Sequence, residues 1–319
     1  MKDFATEFNT LNYVIKKANK ILLVAHSSPD GDTAGSVLAL DEYFSLLGKQ
    51  CDIACFDPFP SFLENLTDRR FIFPDHLNIG EYDAIIGCDS VERGFDKIIT
   101  NAKTDTVTVI IDHHPDIKLE ADVKIINAKS SSTCELIYQY FQFHNIAINR
   151  PIATYLMIGI LGDTGNFQHA NTTSDVMRIA SDLMKKGASS SKIVEATFTN
   201  KKLSTLRLWG IAFGKAKINS KNGMIMTVLT QADLEQCNAT SEDIGQVSSI
   251  LNTVPGTKFA LVLSEREGGV VKGSLRSEEY KGTDVSQIAH LFGGGGHKLA
   301  SGFQVKGKIK ETEDGWEIV

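Results

Sequence analysis

Through the first half of the chain, short apolar runs rich in β-branched residues alternate with longer helical patterns, and this alternation most limits the fold. The predicted strands are Ile21 to Ala25, Cys51 to Phe56, Ala84 to Cys88, Val107 to Ile111 and Val123 to Ile126. Helical patterns cover Thr33 to Leu47, Thr133 to Asn145 and Pro151 to Leu161, the last with Pro151 suited to a helix start. Strands that alternate with helices predict an α/β fold, a parallel sheet covered by helices. In such sheets ligands collect outside the carboxyl ends of the strands, so the residues just after each strand are the ones to inspect.

The second half has a different character. A helical pattern runs from Thr173 to about Phe213, followed by strand patterns at Met224 to Leu229, Phe259 to Ser264 and Val270 to Leu275, with a turn at Glu267-Gly268-Gly269. With 319 residues and 42% apolar content, the chain can bury two moderate cores. The expected division is a catalytic domain over residues 1–190, a helical linker over 191–214 and a smaller α/β domain over 215–319.

Composition narrows the function. With 33 basic and 39 acidic side chains the chain is mildly negative, which argues against stable capture of duplex DNA but allows a small anion at one local site. The N-terminal segment reads as an amphipathic helix with Phe4, Phe8, Leu11 and Val14 on one side, not as a signal peptide. No stretch reaches about 18 charge-free apolar residues, so no membrane span is expected. The five cysteines, Cys51, Cys55, Cys88, Cys134 and Cys237, lie mostly in apolar runs and read as reduced thiols of a cytoplasmic protein. Cys51 and Cys55 have no second Cys/His pair nearby, which makes a zinc site improbable.

Directly after the first predicted strand comes His26-Ser27-Ser28-Pro29-Asp30-Gly31-Asp32. Pro-Asp-Gly is a common turn, and turn chemistry alone would account for it. The same residue types recur, however: Asp89 follows Ala84 to Cys88, Asp112-His113-His114 follows Val107 to Ile111, and Asp163 follows the apolar run Tyr155 to Leu161. If these ends converge, Asp30, Asp32, Asp89 and Asp163 crowd negative charge into one cleft, which unpaired carboxylates resist. Two divalent cations neutralise such a cluster, and carboxylate and imidazole ligands without thiolates suit Mn2+ or Mg2+. A pair of metals about 3.5–4 Å apart suits phosphoester hydrolysis.

The second domain contains Gly293 to Gly296 followed by His297-Lys298-Leu299-Ala300-Ser301-Gly302. Successive glycines let backbone N–H groups approach an anion closely. Arg276 stands at the end of the predicted strand Val270 to Leu275, where a guanidinium can grip phosphate bidentately.

Taken together, the segment Val24 to Asp32, Asp89-Ser90, Asp112-His113-His114, Gly162-Asp163-Thr164 and the GGGGHKLASG segment resemble the DHH phosphoesterase family with a DHHA1 C-terminal domain. Length and domain pairing are similar to its nanoRNase and pAp-phosphatase group. The resemblance implies an active site in the cleft between the two domains. It implies one metal on His26 and Asp30, another on Asp32, His113 and Asp163, and Asp89 bridging both. It gives His114 a contact with the scissile phosphate and Asp112 the task of orienting the histidines. Arg276, His297, Ser301 and the backbone of Gly294, Gly295 and Gly296 are implied as substrate-binding. It further implies Mn2+ preference and substrates that are short RNA oligonucleotides, linear dinucleotides such as pApA, or 3′-phosphoadenosine 5′-phosphate (pAp). In Asp89-Ser90-Val91-Glu92-Arg93-Gly94 the arginine lies closer to the aspartate than in the family pattern, so no role is carried over to Arg93. The competing readings are an inorganic pyrophosphatase or exopolyphosphatase, which uses a similar metal core, and a non-catalytic nucleotide sensor.

Overall fold

The computed structural model describes residues 4–115, 117–199, 201–312 and 315–319. The chain divides into two compact units, Met1–Asn200 and Lys201–Val319. No helix among the described residues is long and apolar enough to cross a membrane.

The first unit opens with helix α1 (Ala5–Lys17), whose Phe8, Leu11, Val14 and Ile15 are buried. Five strands follow: β1 (Lys20–Ala25), β2 (Gln50–Ala54), β3 (Ala84–Cys88), β4 (Val107–Asp112) and β5 (Val123–Ile126). They form a sheet in the order β2-β1-β3-β4-β5, every neighbouring pair parallel. The central strands β1, β3 and β4 are largely apolar on both sides, as a parallel sheet buried on two faces requires, whereas the edge strands β2 and β5 carry Gln50, Asp52 and Lys124. Ile21, Leu23, Ile86 and Val109 enter one core, whereas Leu22, Val24, Ile85 and Ile110 enter the other. The registers Ala25↔Cys88 and Cys88↔Ile111 bring the residues that follow β1 and β3, and the end of β4, to the same level. In this strand order the winding reverses between β1 and β3, which is where open α/β sheets hold their ligands.

Helix α2 (Gly31–Leu46) is buried along most of its circumference because it is covered by the sheet and by α5 (Arg150–Asp163), and its polar Asp32, Thr33 and Ser36 are enclosed with its apolar residues. Close approach of α2 and α5 rests on two glycines. A Cβ on Gly35 would lie 2.4 Å from the Tyr155 carbonyl oxygen, and one on Gly159 would lie 2.6 Å from Asp32 Oδ1. Helices α3 (Phe95–Ile99), α4 (Thr133–Phe143), α6 (Ser174–Lys185) and α7 (Ser190–Val194) complete the unit. Capping side chains start the longer ones: Asp30, Ser132, Asn149 and Thr173 each accept a backbone N–H of the first turn.

In the second unit, α8 (Leu203–Gly214) is followed by β6 (Lys217–Asn219), β7 (Met224–Leu229), α9 (Gln231–Cys237), α10 (Val247–Leu251), β8 (Phe259–Arg266) and β9 (Val270–Arg276). After α11 (Val285–His290) come β10 (Gly295–His297) and β11 (Ala300–Lys306), then a hairpin of β12 (Ile309–Thr312) and β13 (Gly315–Ile318). The six-stranded sheet runs β10-β11-β9-β8-β7-β6 and is mixed, only β7 and β8 being parallel. Residues 191–214, expected to form a linker, divide between the units. Ile193 is buried in the core of the first, and Leu208 and Ala212 in that of the second. The apolar face of α8 needs cover, and the helices of the second unit supply it.

A side chain at Gly35 would meet backbone that cannot yield. Gly35→Val should therefore destabilise the first unit by about 3 kcal/mol or more, at the upper end of over-packing costs, and thermal unfolding followed by circular dichroism should show a fall of several degrees.

Candidate metal centre

Because β1, β3 and β4 end at one level, His26, Asp89 and Asp112 to His114 share one edge of the sheet, and the start of α2 and the end of α5 bring Asp30, Asp32 and Asp163 to it. The ligand atoms of His26, Asp30 and Asp89 all lie within 4.8 Å of one another, and so do those of Asp32, Asp89 and His113. Asp89 belongs to both groups. Asp163 joins the second through its Oδ2, 3.0 Å from His113 Nε2. A third group, Asp89, Asp112 and His114, borders them.

Backbone groups aim these side chains. Nδ1 of His26 lies 2.6 Å from the Ser27 carbonyl oxygen and Nδ1 of His113 lies 3.3 Å from that of Ser130, so in each ring a protonated Nδ1 leaves Nε2 to face the carboxylates. Asp32, fully buried, accepts the backbone N–H groups of Thr133 and Cys134 at 2.6 and 2.9 Å, at the N-terminus of α4. Asp30 caps α2 through one oxygen, accepting from Asp32 N and Thr33 N. Thr33 donates its hydroxyl to Asp89 Oδ2 at 2.5 Å. Asp112 is enclosed: Oδ1 accepts the His114 backbone N–H and lies 2.8 Å from His114 Nδ1, and Oδ2 accepts Val91 N. That leaves His114 Nε2 pointing away from Asp112, 3.3 Å from Ser90 Oγ. The Asp163 carbonyl is held by the side-chain amide of Asn171, which also donates to the Ser131 carbonyl.

Electrostatics show what the cluster lacks. Burial opposes charge on the histidines, but Asp163, Asp32 and Asp89 hold the His113 imidazole up to about 10. Burial likewise opposes charge on His114, yet Asp112 and Asp89 push it well above its usual range, and Asp89 raises His26. Burial and the neighbouring carboxylates Asp163 and Asp89 drive Asp32 well up. Burial works against Asp89 too, but the imidazoles of His114 and His26 keep it well below the usual carboxylate range. The cluster thus needs positive charge, which in the metal-free protein comes from protonated histidines. His26 Nε2 and Asp89 Oδ1 are buried without a hydrogen-bonding partner, and their nearest opposite charges stand at 3.4 Å. Buried polar atoms left unsatisfied and converging on a common point fit divalent cations. Burial raises the nearby Cys88 and Cys134 thiols well above their usual range, so they stay protonated and the donor set is carboxylate and imidazole.

In the second unit, Arg276 and His297 lie in one row. Ala260 pairs with Arg276, Arg276 with Ala300, and Ala300 with His297, so all four side chains share a face, with small alanines flanking the guanidinium. The glycine run has a packing cause as well. A Cβ on Gly294 would meet the Gly302 carbonyl oxygen at 2.1 Å, and one on Gly296, at φ +130°, would meet that of Ala300 at 2.7 Å. Gly295 pairs with Gly302 in the same hairpin. Ser301 is buried and its hydroxyl donates to the Val285 carbonyl at 2.7 Å, a bond internal to the unit. Arg93 is exposed; its backbone carbonyl accepts from Ser27 N.

Sequence reasoning found the charged residues but missed Thr33, Ser130 and the Thr133 and Cys134 amides. Backbone donors carry no residue signature, and a threonine inside a helix start gives no signal until its hydroxyl is seen on Asp89.

The DHH family N-terminal domain matches residues 20–160, and the DHHA1 domain matches residues 222–314. The chain belongs to the DHH family of phosphoesterases, with a DHHA1 C-terminal domain. It is 29% identical to the bifunctional oligoribonuclease and PAP phosphatase NrnA of Thermus thermophilus, over 90% of this chain and 84% of that protein. To the protein of the same name from Bacillus subtilis it is 28% identical, over 89% of each. An exopolyphosphatase-related protein from Bacteroides fragilis shares the fold, with a TM-score of 0.85 at 24% identity, covering 95% of this chain and 92% of that one.

In the metal-free protein, the stability that charged His113 contributes is fully present below its ordinary value of 6.5 and is lost as pH rises through about 10. Metal binding must displace that proton and so strengthens with pH. EDTA-treated protein should therefore lose thermal stability between neutral pH and pH 10, and Mn2+ should restore most of it; a flat profile without metal would contradict the charge balance described.

Proposed function

We propose that this DHH-family hydrolase is a Mn2+-dependent phosphoesterase that cleaves short oligoribonucleotides and linear dinucleotides such as pApA to mononucleotides and converts pAp to AMP. The observation that carries this reading is Asp89, whose carboxylate is shared by the His26–Asp30 group and the Asp32–His113 group of converging ligand atoms. His26, Asp30 and Asp89 would hold one cation; Asp32, His113, Asp163 and Asp89 the other. When bound, two such cations activate water and neutralise charge on a phosphoryl group. The relatives named as oligoribonuclease and PAP phosphatase support the choice of substrate.

The chain's own residues then have distinct tasks. His114, oriented by Asp112 and kept protonated beside it, donates to an oxygen of the scissile phosphate, where negative charge grows in the transition state. Arg276 and His297, aligned on one sheet face, grip the substrate's other phosphate. The backbone of Gly294, Gly295 and Gly296 lines the same hairpin, with Ser301 bracing it. Such a local anion grip suits a chain with net charge -6, because only one end of a short nucleotide needs to meet basic groups.

Purified protein with Mn2+ should release AMP from both pApA and pAp; EDTA should abolish turnover and added Mn2+ should return it. His114→Ala should lower kcat/KM by on the order of 100- to 1,000-fold. Arg276→Ala should chiefly raise KM, by about 10- to 100-fold, as expected for loss of a charged hydrogen bond. Faster phosphate release from pyrophosphate than from pAp would overturn the substrate assignment.

A further inference from the structure

The segment joining His26 to Asp30 is held by residues that carry no ligand atom of the cluster. Three consecutive positions are tied to the segments that follow β2 and β3. The His26 carbonyl oxygen lies 3.3 Å from Cys55 Sγ, Ser27 N donates to the Arg93 carbonyl oxygen, and Ser28 N donates to Asp57 Oδ2 at 2.7 Å. Asp57 is itself fixed, its backbone N–H directed at Cys55 Sγ at 3.4 Å. Ser28 has φ +60°, a left-handed conformation that a serine, unlike glycine, adopts only against steric strain. Two residues further on, Asp30 must turn its carboxylate both to the start of α2 and toward His26 and Asp89. With Ser28 in the commoner right-handed region, the chain between His26 and Asp30 would take another path.

We infer that Asp57, in the bend that follows β2, is a positioning residue for the metal centre: its hydrogen bond to Ser28 N keeps the His26–Asp30 segment in the left-handed turn that lets both side chains face Asp89. The inference rests on the metal-binding reading above. Asp57 touches neither cation nor substrate in this account. The Asp57 acceptor, not its negative charge, is the required feature, because the partner is a neutral backbone amide. Asparagine in its place retains an acceptor oxygen, whereas alanine has none.

The test is a Mn2+ titration of the full chain by calorimetry, with pAp hydrolysis measured across Mn2+ concentration in parallel. Asp57→Ala should weaken one of the two binding events by about 10- to 100-fold, the usual effect of removing a residue that orients a metal ligand. Its turnover should climb back toward the wild-type rate as Mn2+ is raised. Asp57→Asn should bind Mn2+ within about threefold of wild type, a difference of about 0.65 kcal/mol. Ser28→Gly, for which a left-handed turn is free of strain, should restore part of the affinity lost in Asp57→Ala. Wild-type Mn2+ affinity in a folded Asp57→Ala, or equal impairment of Asp57→Ala and Asp57→Asn, would overturn the inference. A purely structural role would lower the melting temperature of the EDTA-treated protein while leaving the Mn2+ isotherm of its folded fraction unchanged, which also overturns it. Failure of wild-type protein to bind Mn2+ would instead strike at the proposed metal centre, so the two failures are distinguishable.

Discussion

Everything in the first unit is arranged around a buried carboxylate, that of Asp89, set where the sheet reverses its winding between β1 and β3. It is 2% exposed and stands among Asp32, Asp112 and Asp163. Enclosed like charges cost several kcal/mol each unless positive charge answers them. Imidazoles answer part of that demand. The remainder explains why His26 Nε2 and Asp89 Oδ1 are buried without a hydrogen-bonding partner: the site is built to be finished by cations.

The cluster also shows where folding energy is spent on function. Asp89 and Ser90 both have left-handed backbones, at φ +61° and +40°, and Ser28 does the same across the cleft. None of these is glycine, and each costs about 1–3 kcal/mol. Rigid surroundings sustain them. The Asp89 amide donates to the Ile111 carbonyl, Val91 N donates to Asp112, and α2 is pressed against α5 through Gly35 and Gly159. The same glycine that allows the helices to touch allows Asp32 to reach the cluster, so packing and chemistry rest on one constraint.

Much of this was legible in the chain. A parallel sheet was readable from the apolar runs, since a strand buried on both faces has no polar alternation. Acidic and imidazole residues directly after those runs could be assigned to one edge from topology alone. The second unit was less legible. Helices α9 and α10 and the strand β10 are short, and a glycine-rich strand such as Gly295–His297 gives no periodicity. The glycine run read as an anion cradle, and its packing cause became visible only when β10 was seen against the Gly302 and Ala300 carbonyls.

By itself the sequence determined the α/β class, the set of charged residues and the kind of ion and chemistry they suit, because residue type limits donor chemistry and strand spacing limits location. Tertiary structure alone decided which atom of each side chain does what. The Ser27 and Ser130 carbonyls choose the histidine tautomers, the amides of α4 aim Asp32, and Asp57 reaches Ser28 across 29 residues. Backbone groups are the same at every position, so no string of letters can announce which of them will point at a site.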